Sequence, residues 1–181
     1  TIGKFETQAR KLRKWPYAKG KKVKLFVLAG HRNMEGERAF VQDLKQIKGR
    51  GNLLKDNHSI AYKYSLGGGY KKSDGWEPFG IVDYYDSFGP ELSLAHSLQA
   101  KLDGNFAIAK YTHSGSQIID WTPEGSMAKD RHLYPEFLSF VKKSIEEIEA
   151  KGNEVELTGI FYHVGENDMS FHPYRKEAAG R

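Results

Sequence analysis

Three short apolar runs, each followed at once by glycine or polar residues, constrain the fold of this chain more than any other feature. The runs span 23–29, 106–109 and 157–162, and Gly30 ends the first of them. Apolar runs of this length are typical of strands that are buried on both faces of a parallel sheet. We therefore predict three strands that are parallel neighbours in one sheet.

Apolar residues at helical spacing lie between these runs and predict the helices that cover the sheet. The segments are 37–48, 90–102 and 137–148, and Pro90 stands at a first-turn position that proline favours. The alternating residues 60–64 are typical of an exposed strand, and a further helix is expected to begin near Pro173. Strands that alternate with helices predict a three-layer α/β/α sandwich with a mainly parallel, flavodoxin-like sheet.

Positive charge is concentrated at the N-terminus. Nine lysines and arginines against one glutamate give residues 1–24 a net charge of +8, whereas the whole chain carries +5. We expect residues 1–22 to form a solvated basic arm or linker, and residues 23–181 to form one domain. Such an arm could contact nucleic acid, an acidic polysaccharide or a membrane surface. Because this charge lies outside the predicted sheet, it does not favour nucleic acid as the partner of the domain.

Composition excludes several classes of chemistry. The chain has no cysteine, which rules out disulfides and thiolate catalysis. No apolar run approaches the length of about 20 residues that a membrane span requires. His163, Glu166, Asp168 and His172 lie close together in the sequence but without regular ligand spacing, so we predict neither a metal site nor a cofactor. The oligomeric state is left open.

Polar segments with glycine follow all three predicted strands. They cover residues 29–36, 110–116 and 162–168. Because the carboxyl ends of parallel strands meet at one edge of the sheet, these segments are expected to lie together there. Glycine permits close backbone approach, and N–H groups at a helix start favour a negatively charged oxygen. The pattern predicts an oxyanion-binding site at this edge.

Four sequence blocks resemble those of a known family. The sialate O-acetylesterases and acetylxylan esterases, a branch of the SGNH hydrolases, have L-A-G-Q-S-N-M after the first strand, then G-P-E-L, K-Y-x-x-G-G-[ST]-x-x-x-W and H-Q-G-E-[SN]-D. This chain has similar residues in the same order at 28–34, 89–92, 110–116 with Trp121 following, and 163–168. The resemblance implies an SGNH-type fold and an acetylated carbohydrate or another small anion as ligand.

The resemblance also assigns residue roles. The nucleophilic serine of the family falls at Arg32, and Glu166 matches the acidic residue that orients the catalytic base. The oxyanion hole would comprise the backbone at Arg32 and Gly115 and the side chain of Asn167. The other substrate-binding positions implied by the matching blocks are Gly30, Asn33, Ser116 and His163. A guanidinium is neither a nucleophile nor a base, so we expect Arg32 to pair with Glu166 or with a bound anion.

Two functions remain open at this point. The resemblance implies a carbohydrate acetylesterase, but the residue at Arg32 argues against the standard serine mechanism. The alternative is a non-catalytic pseudoesterase that binds carbohydrate or an anion. The family's C-terminal aspartate and histidine have no counterpart after Asp168, so we expect a C-terminally truncated domain. The resemblance also implies an extracellular or periplasmic location.

Overall fold

The computed structural model describes residues 10–82, 84–127 and 131–170, which form a sheet covered by helices. The strands are β1 (Lys22–Gly30), β2 (Asn57–Leu66), β3 (Lys71–Lys72), β4 (Glu77–Phe79), β5 (Asn105–Thr112) and β6 (Glu154–His163). The helices are α1 (Arg32–Glu35), α2 (Val41–Gln46), α3 (Glu91–Lys101) and α4 (Leu133–Glu149), with short 3₁₀ turns at Gly51–Leu54, Ile118–Trp121 and Asp168–Ser170.

The sheet is mainly parallel and follows the order β3-β2-β5-β1-β6, with β4 paired to β2. Strands β2, β5, β1 and β6 are parallel to one another, whereas β3 and β4 are antiparallel to β2. The prediction that β1, β5 and β6 are parallel neighbours is therefore confirmed. Gly30 pairs with Thr112 on one side and His163 on the other, so the three strands end at the same edge.

Alternate residues of the central strands supply two separate hydrophobic layers. Val23, Leu25 and Val27 pack with residues of α4 on one face. Phe26 and Leu28 point to the other face, where they pack with residues of α2 and α3. Side chains of a strand alternate between faces, so one apolar run fills both layers. The α/β/α layering predicted from the sequence follows from this arrangement.

Strand β2 is buried, and the expectation of an exposed strand at residues 60–64 is wrong. Tyr62 and Tyr64 are 1% and 3% exposed, and Lys63 is 7% exposed. The pattern was misleading because tyrosine and lysine bury long apolar stems and keep one polar group that needs a partner. Lys63 Nζ donates a hydrogen bond to Glu147 of α4 at 2.8 Å, which makes its burial possible.

The described part of the N-terminal segment, residues 10–21, packs against the sheet and is not a solvated arm. The Tyr17 hydroxyl donates to the carbonyl of Phe106 and accepts a hydrogen bond from the Ala61 N–H. Trp15 Nε1 donates to Asn153 Oδ1 at 2.7 Å. The expectation failed because two aromatic residues within the basic sequence bury enough apolar surface to fix the chain.

Helices α3 and α4 lie where the helical spacing predicted them, but α2 is shorter than the predicted segment 37–48. The residues before Val41 form the turn that follows α1, and in this turn Gly36 adopts the left-handed conformation with φ 102°. The helix expected near Pro173 lies outside the described residues. In the part of the chain that the structure covers, no helix combines the length and apolarity needed to cross a membrane.

Candidate functional site

The three polar segments meet at the carboxyl edge of the sheet, and backbone hydrogen bonds tie them together. His31 N–H donates to the carbonyl of His163, and His113 N–H donates to the carbonyl of Gly30, each at 3.0 Å. A Cβ atom at Gly30 would lie only 2.1 Å from the carbonyl oxygen of His163, so a larger residue would push the strands apart. Glycine at this position thus permits the close approach on which the edge depends.

Arg32, the first residue of α1, has a half-exposed side chain at this edge. Its Nε lies 3.1 Å from Glu37 Oε2, and the expected pairing with Glu166 is wrong. Glu37 is favoured because the turn after α1 folds back, with the Glu37 N–H donating to the Arg32 carbonyl at 3.0 Å. Both partners of this ion pair are exposed to solvent, so the guanidinium remains accessible to a ligand.

Glu166 is the second acidic group of the edge and is only partly satisfied. Its Oε1 accepts a hydrogen bond from the Asn33 N–H at 3.3 Å and lies 3.3 Å from His163 Nδ1. Its Oε2 is buried and has no hydrogen-bond partner among the described residues. A buried polar atom without a partner costs about 1–3 kcal/mol, so this oxygen favours a donor from a ligand or a solvent molecule.

Two of the three groups predicted to hold an oxyanion already donate hydrogen bonds to other protein groups. The Gly115 N–H donates to His31 Nδ1 at 2.9 Å, and the His31 side chain is almost completely buried. The Asn167 side-chain amide donates to the Gly115 carbonyl at 3.0 Å. Because Nδ1 of His31 acts as an acceptor, the neutral imidazole carries its proton on Nε2. The edge brings Arg32, Gly115 and Asn167 together, but two of the three donors bind other protein groups.

Ser116 is buried and does not reach the surface of the edge, which corrects its predicted role in ligand binding. Its Oγ donates to the His113 carbonyl at 2.7 Å and accepts from Trp121 Nε1 at 3.0 Å. Asp168 is 1% exposed, and its carboxylate accepts from the Ile118 N–H. These contacts hold the loops after β5 and β6 in place.

Glu35, which the sequence analysis did not single out, is the most extensively hydrogen-bonded carboxylate of the edge. It is 5% exposed and accepts from the Gly67 N–H at 2.9 Å and from Thr112 Oγ1 and Ser114 Oγ at 2.7 Å each. Burial and the Glu35 carboxylate raise the pKa of Tyr84. No local pattern reveals this cluster, because its donors come from β5 and from the loops that follow β2 and β5.

A buried ion pair lies beneath this cluster. Lys110 Nζ is 2.6 Å from Glu91 Oε2 and donates to the Glu35 carbonyl at 3.1 Å, and the two side chains are 1% and 7% exposed. Removing one partner of a buried pair leaves an uncompensated charge and costs about 3–5 kcal/mol. The pair links α3 to β5 and thereby joins two of the sequence blocks.

Aromatic rings and an imidazole border the site on the β2 side. Tyr70 and Tyr85 are 73% and 71% exposed, and their rings stack with an interplanar angle of 15°. The His113 ring packs against the backbone of Gly68, and its Nδ1 lies 2.8 Å from the Ser114 carbonyl. That carbonyl is an acceptor, so Nδ1 carries the proton and Nε2 is the basic nitrogen of the neutral ring.

No metal site is formed by the residues whose positions are described. Within them, histidine and carboxylate side chains do not gather in groups of three or more that could hold an ion. His172, one of the residues weighed in the sequence, lies outside the described range.

The parallel sheet and its polar carboxyl edge define an α/β protein with an SGNH-like fold. A family model described as a carbohydrate esterase, sialic acid-specific acetylesterase (SASA), matches residues 22–178. The chain therefore belongs to this carbohydrate esterase family. The resemblance noted in the sequence thus corresponds to a family match that extends over most of the chain.

A solved structure has the same fold. The X-ray structure of a protein from Arabidopsis thaliana matches with a TM-score of 0.59 and 18% sequence identity, over 87% of this chain and 63% of that chain. This chain thus spans less than two thirds of the length of that relative. At such low identity the likeness shows the fold alone. No curated protein matches the chain.

Proposed function

We propose that the carboxyl edge binds an acetylated carbohydrate without the serine chemistry of an esterase. The observation that carries the proposal is the hydrogen bond from the Gly115 N–H to His31 Nδ1 at 2.9 Å. It occupies the backbone donor on which the family resemblance relies for an oxyanion. Stabilisation of the oxyanion is commonly a large contribution to acyl transfer, so its loss opposes turnover.

The properties of Arg32 support the same conclusion. It stands where the resemblance expects the nucleophile, and a guanidinium offers no lone pair to attack a carbonyl carbon. Its side chain is 50% exposed and its partner Glu37 is 39% exposed. The weak surface pair leaves Arg32 able to donate hydrogen bonds to an acetyl oxygen or to a sugar carboxylate.

Groups suited to sugar recognition lie at the same edge as Arg32. The partly exposed carboxylate of Glu166 offers an acceptor for a sugar hydroxyl. The exposed rings of Tyr70 and Tyr85 offer apolar faces of the kind that pack against sugar rings. Binding through one cation, one carboxylate and two aromatic rings requires neither a metal nor a cofactor.

The test compares binding with turnover in the full chain. Isothermal titration calorimetry with acetylated xylo-oligosaccharides and their deacetylated counterparts measures binding, and released acetate measures hydrolysis. We expect the acetylated form to bind more tightly and acetate release to stay at the background rate. Arg32→Ala should weaken binding about tenfold, the loss of one charge-assisted hydrogen bond, whereas Arg50→Ala should not. Equal binding of both oligosaccharides would contradict the proposal.

A second candidate is hydrolysis in which His163 activates water. His163 Nδ1 lies 3.3 Å from Glu166 Oε1, and its side chain is 55% exposed. In this mechanism Nε2 takes a proton from water while the water oxygen attacks the acetyl carbon. The ester C–O bond then breaks, the alcohol oxygen takes this proton from Nε2, and acetic acid leaves and ionises to acetate in solvent. Acetate release that His163→Gln abolishes and His132→Gln does not would establish this alternative.

A further inference from the structure

Two neighbouring cavities lie on the α4 side of the sheet. The first has a volume of about 600 Å³ and is lined by Trp15, Trp76 and residues at the end of α4. The second has a volume of about 670 Å³ and runs between β2 and α4 to Gly68 at the carboxyl edge. Both are lined by Gly75 and Glu147, so they are neighbours on the surface. We call the two cavities together the α4 groove.

The α4 groove is basic. Lysines and arginines in its lining outnumber aspartates and glutamates by seven to three. Arg10 and Lys63 are paired with Asp56 and Glu147. By contrast, the exposed side chains of Lys14, Lys72 and Lys143 have no ion-pair partner among the described residues. Part of the N-terminal positive charge is thus placed on the wall of a cavity, where it favours an extended anion.

Aromatic rings lie at the end of the α4 groove farthest from the carboxyl edge. Trp15 and Trp76 meet edge to face with ring centroids 6.3 Å apart, and both are partly exposed. Lys151 Nζ lies 5.9 Å from the centre of the Trp15 ring. Aromatic faces pack against the apolar faces of sugar rings, and lysines beside them pair with carboxylates. Together these groups suit a polymer of acidic sugars.

The opposite end of the α4 groove reaches the candidate site. Gly68 lines the groove, and its backbone packs against the His113 ring at the carboxyl edge. A chain lying in the groove would therefore lead to the residues that surround Arg32. A nucleic acid strand is also a polyanion, and the experiment below distinguishes it from an acidic polysaccharide.

We propose that the α4 groove binds an acidic polysaccharide of the uronic acid type and guides it to the carboxyl edge. This inference rests on the proposed function, because it takes the edge to be a carbohydrate site. It adds an extended secondary site, formed by the N-terminal segment and α4, and a negatively charged class of polymer. The N-terminal segment, which the sequence analysis predicts to be a basic arm, forms one wall of this site.

The experiment measures binding of de-esterified polygalacturonate to the full chain by tryptophan fluorescence and by affinity electrophoresis. Two of the three tryptophans line the α4 groove, so fluorescence reports directly on it. We expect saturable binding that weakens as salt rises, since exposed charges are screened. Neutral arabinoxylan should bind much more weakly.

Charge reversal locates the site. The triple variant Lys14→Glu, Lys143→Glu and Lys151→Glu should weaken binding of polygalacturonate about tenfold or more. The matched control, Lys45→Glu, Lys48→Glu and Lys101→Glu, changes net charge equally on α2 and α3 or their ends, across the sheet, and should retain affinity. Thermal melts establish that both variants are folded. The corresponding lysine-to-glutamine triple, with smaller charge changes, should weaken binding less and provides a second test.

Three results would overturn the inference. They are equal losses in the groove and control variants, equal affinity for arabinoxylan, and tighter binding of oligothymidylate that the groove triple abolishes. The last result would identify a nucleic acid groove instead. Because binding is measured without turnover or an acetyl group, its absence would refute the groove alone. Failure of acetylated oligosaccharides to bind, with polygalacturonate still bound, would refute the proposed function of the edge.

Discussion

Glu35 and Glu166 are two carboxylates at one edge of the same sheet, yet their surroundings are opposite. Glu35 is 5% exposed and accepts three hydrogen bonds of 2.7–2.9 Å. Glu166 has a side chain that is 27% exposed, a single hydrogen bond of 3.3 Å and one buried oxygen without a described partner. A satisfied buried carboxylate stabilises the fold, whereas a partly exposed one with few hydrogen bonds is available to a ligand.

The comparison shows that position at the carboxyl edge does not by itself identify a binding residue. Both glutamates lie shortly after the end of a parallel strand, close to a glycine. They differ in how many donors the neighbouring elements direct at them. The half of the edge around Glu35 is consequently structural, and the half around Glu166 is the better candidate for contact with a ligand. The following predictions test this division.

The largest effect is expected from Glu35→Ala. The substitution leaves Gly67 N–H, Thr112 Oγ1 and Ser114 Oγ without their acceptor, and unsatisfied buried donors cost about 1–3 kcal/mol each. We expect the free energy of unfolding, measured by urea denaturation, to fall by about 3 kcal/mol or more. The control is Glu37→Ala, which removes an exposed carboxylate two residues away. Similar small losses of unfolding free energy in both variants would contradict the distinction between the two halves of the carboxyl edge.

Glu166→Gln should change binding more than stability. Acetylated xylo-oligosaccharide should bind about tenfold more weakly, which corresponds to about 1.4 kcal/mol, because a charged acceptor is replaced by a neutral amide. The free energy of unfolding should change by less than about 1 kcal/mol, since one long hydrogen bond is affected. Calorimetric titration and urea denaturation measure the two effects. A loss of stability with unchanged affinity would make Glu166 structural.

Ser114→Ala is expected to have a smaller effect, confined to stability. It removes one of the three donors to Glu35 and leaves the Gly67 N–H and Thr112 Oγ1 in place. A single hydrogen bond to a charged group contributes about 1.5 kcal/mol or somewhat more, and the remaining donors and solvent offset part of it. We expect a loss of about 1 kcal/mol in urea denaturation. Affinity for acetylated oligosaccharide should not change.

Arg32→Ser should have the smallest effect on stability. Its ion pair with Glu37 is exposed, and such pairs contribute about 0–1 kcal/mol. The Glu166 carboxylate does not lose a partner, because the structure pairs it with His163 instead. We also expect no saturable acetylesterase activity, since the Gly115 N–H stays bound to His31. Saturable acetate release by the variant would show that a base within the chain can activate the new serine.

The parallel fold could be predicted from local patterns to a large extent. Three apolar runs became β1, β5 and β6, and the segments with helical spacing contain α3 and α4. The polar segments meet at one edge because the strands they follow are parallel and end there together. Strand β2 was misjudged because alternation does not reveal that residues of α4 pack on one face of it and residues of α3 on the other.

The candidate site was predicted only in outline. Arg32, Gly115 and Asn167 do lie at the carboxyl edge, but the pairing of Arg32 with Glu37 and of Gly115 with His31 differs from the expectation. Glu35 was missed although it is the best-satisfied carboxylate there. Hydrogen-bond partners depend on distances of a few tenths of an ångström between loops, and no spacing rule in the sequence specifies these.

The sequence by itself determined the strands, the helices and the family to which the chain belongs, because periodicity and short motifs act over neighbouring residues. The tertiary structure alone decided which carboxylate is satisfied, which cations are free and where the N-terminal segment lies. Trp15 meets Trp76 and Lys151 across long separations in the sequence, and Lys63 meets Glu147 in the same way. Such choices depend on the summed burial and hydrogen bonding of many distant groups, which exist only once the sheet has formed.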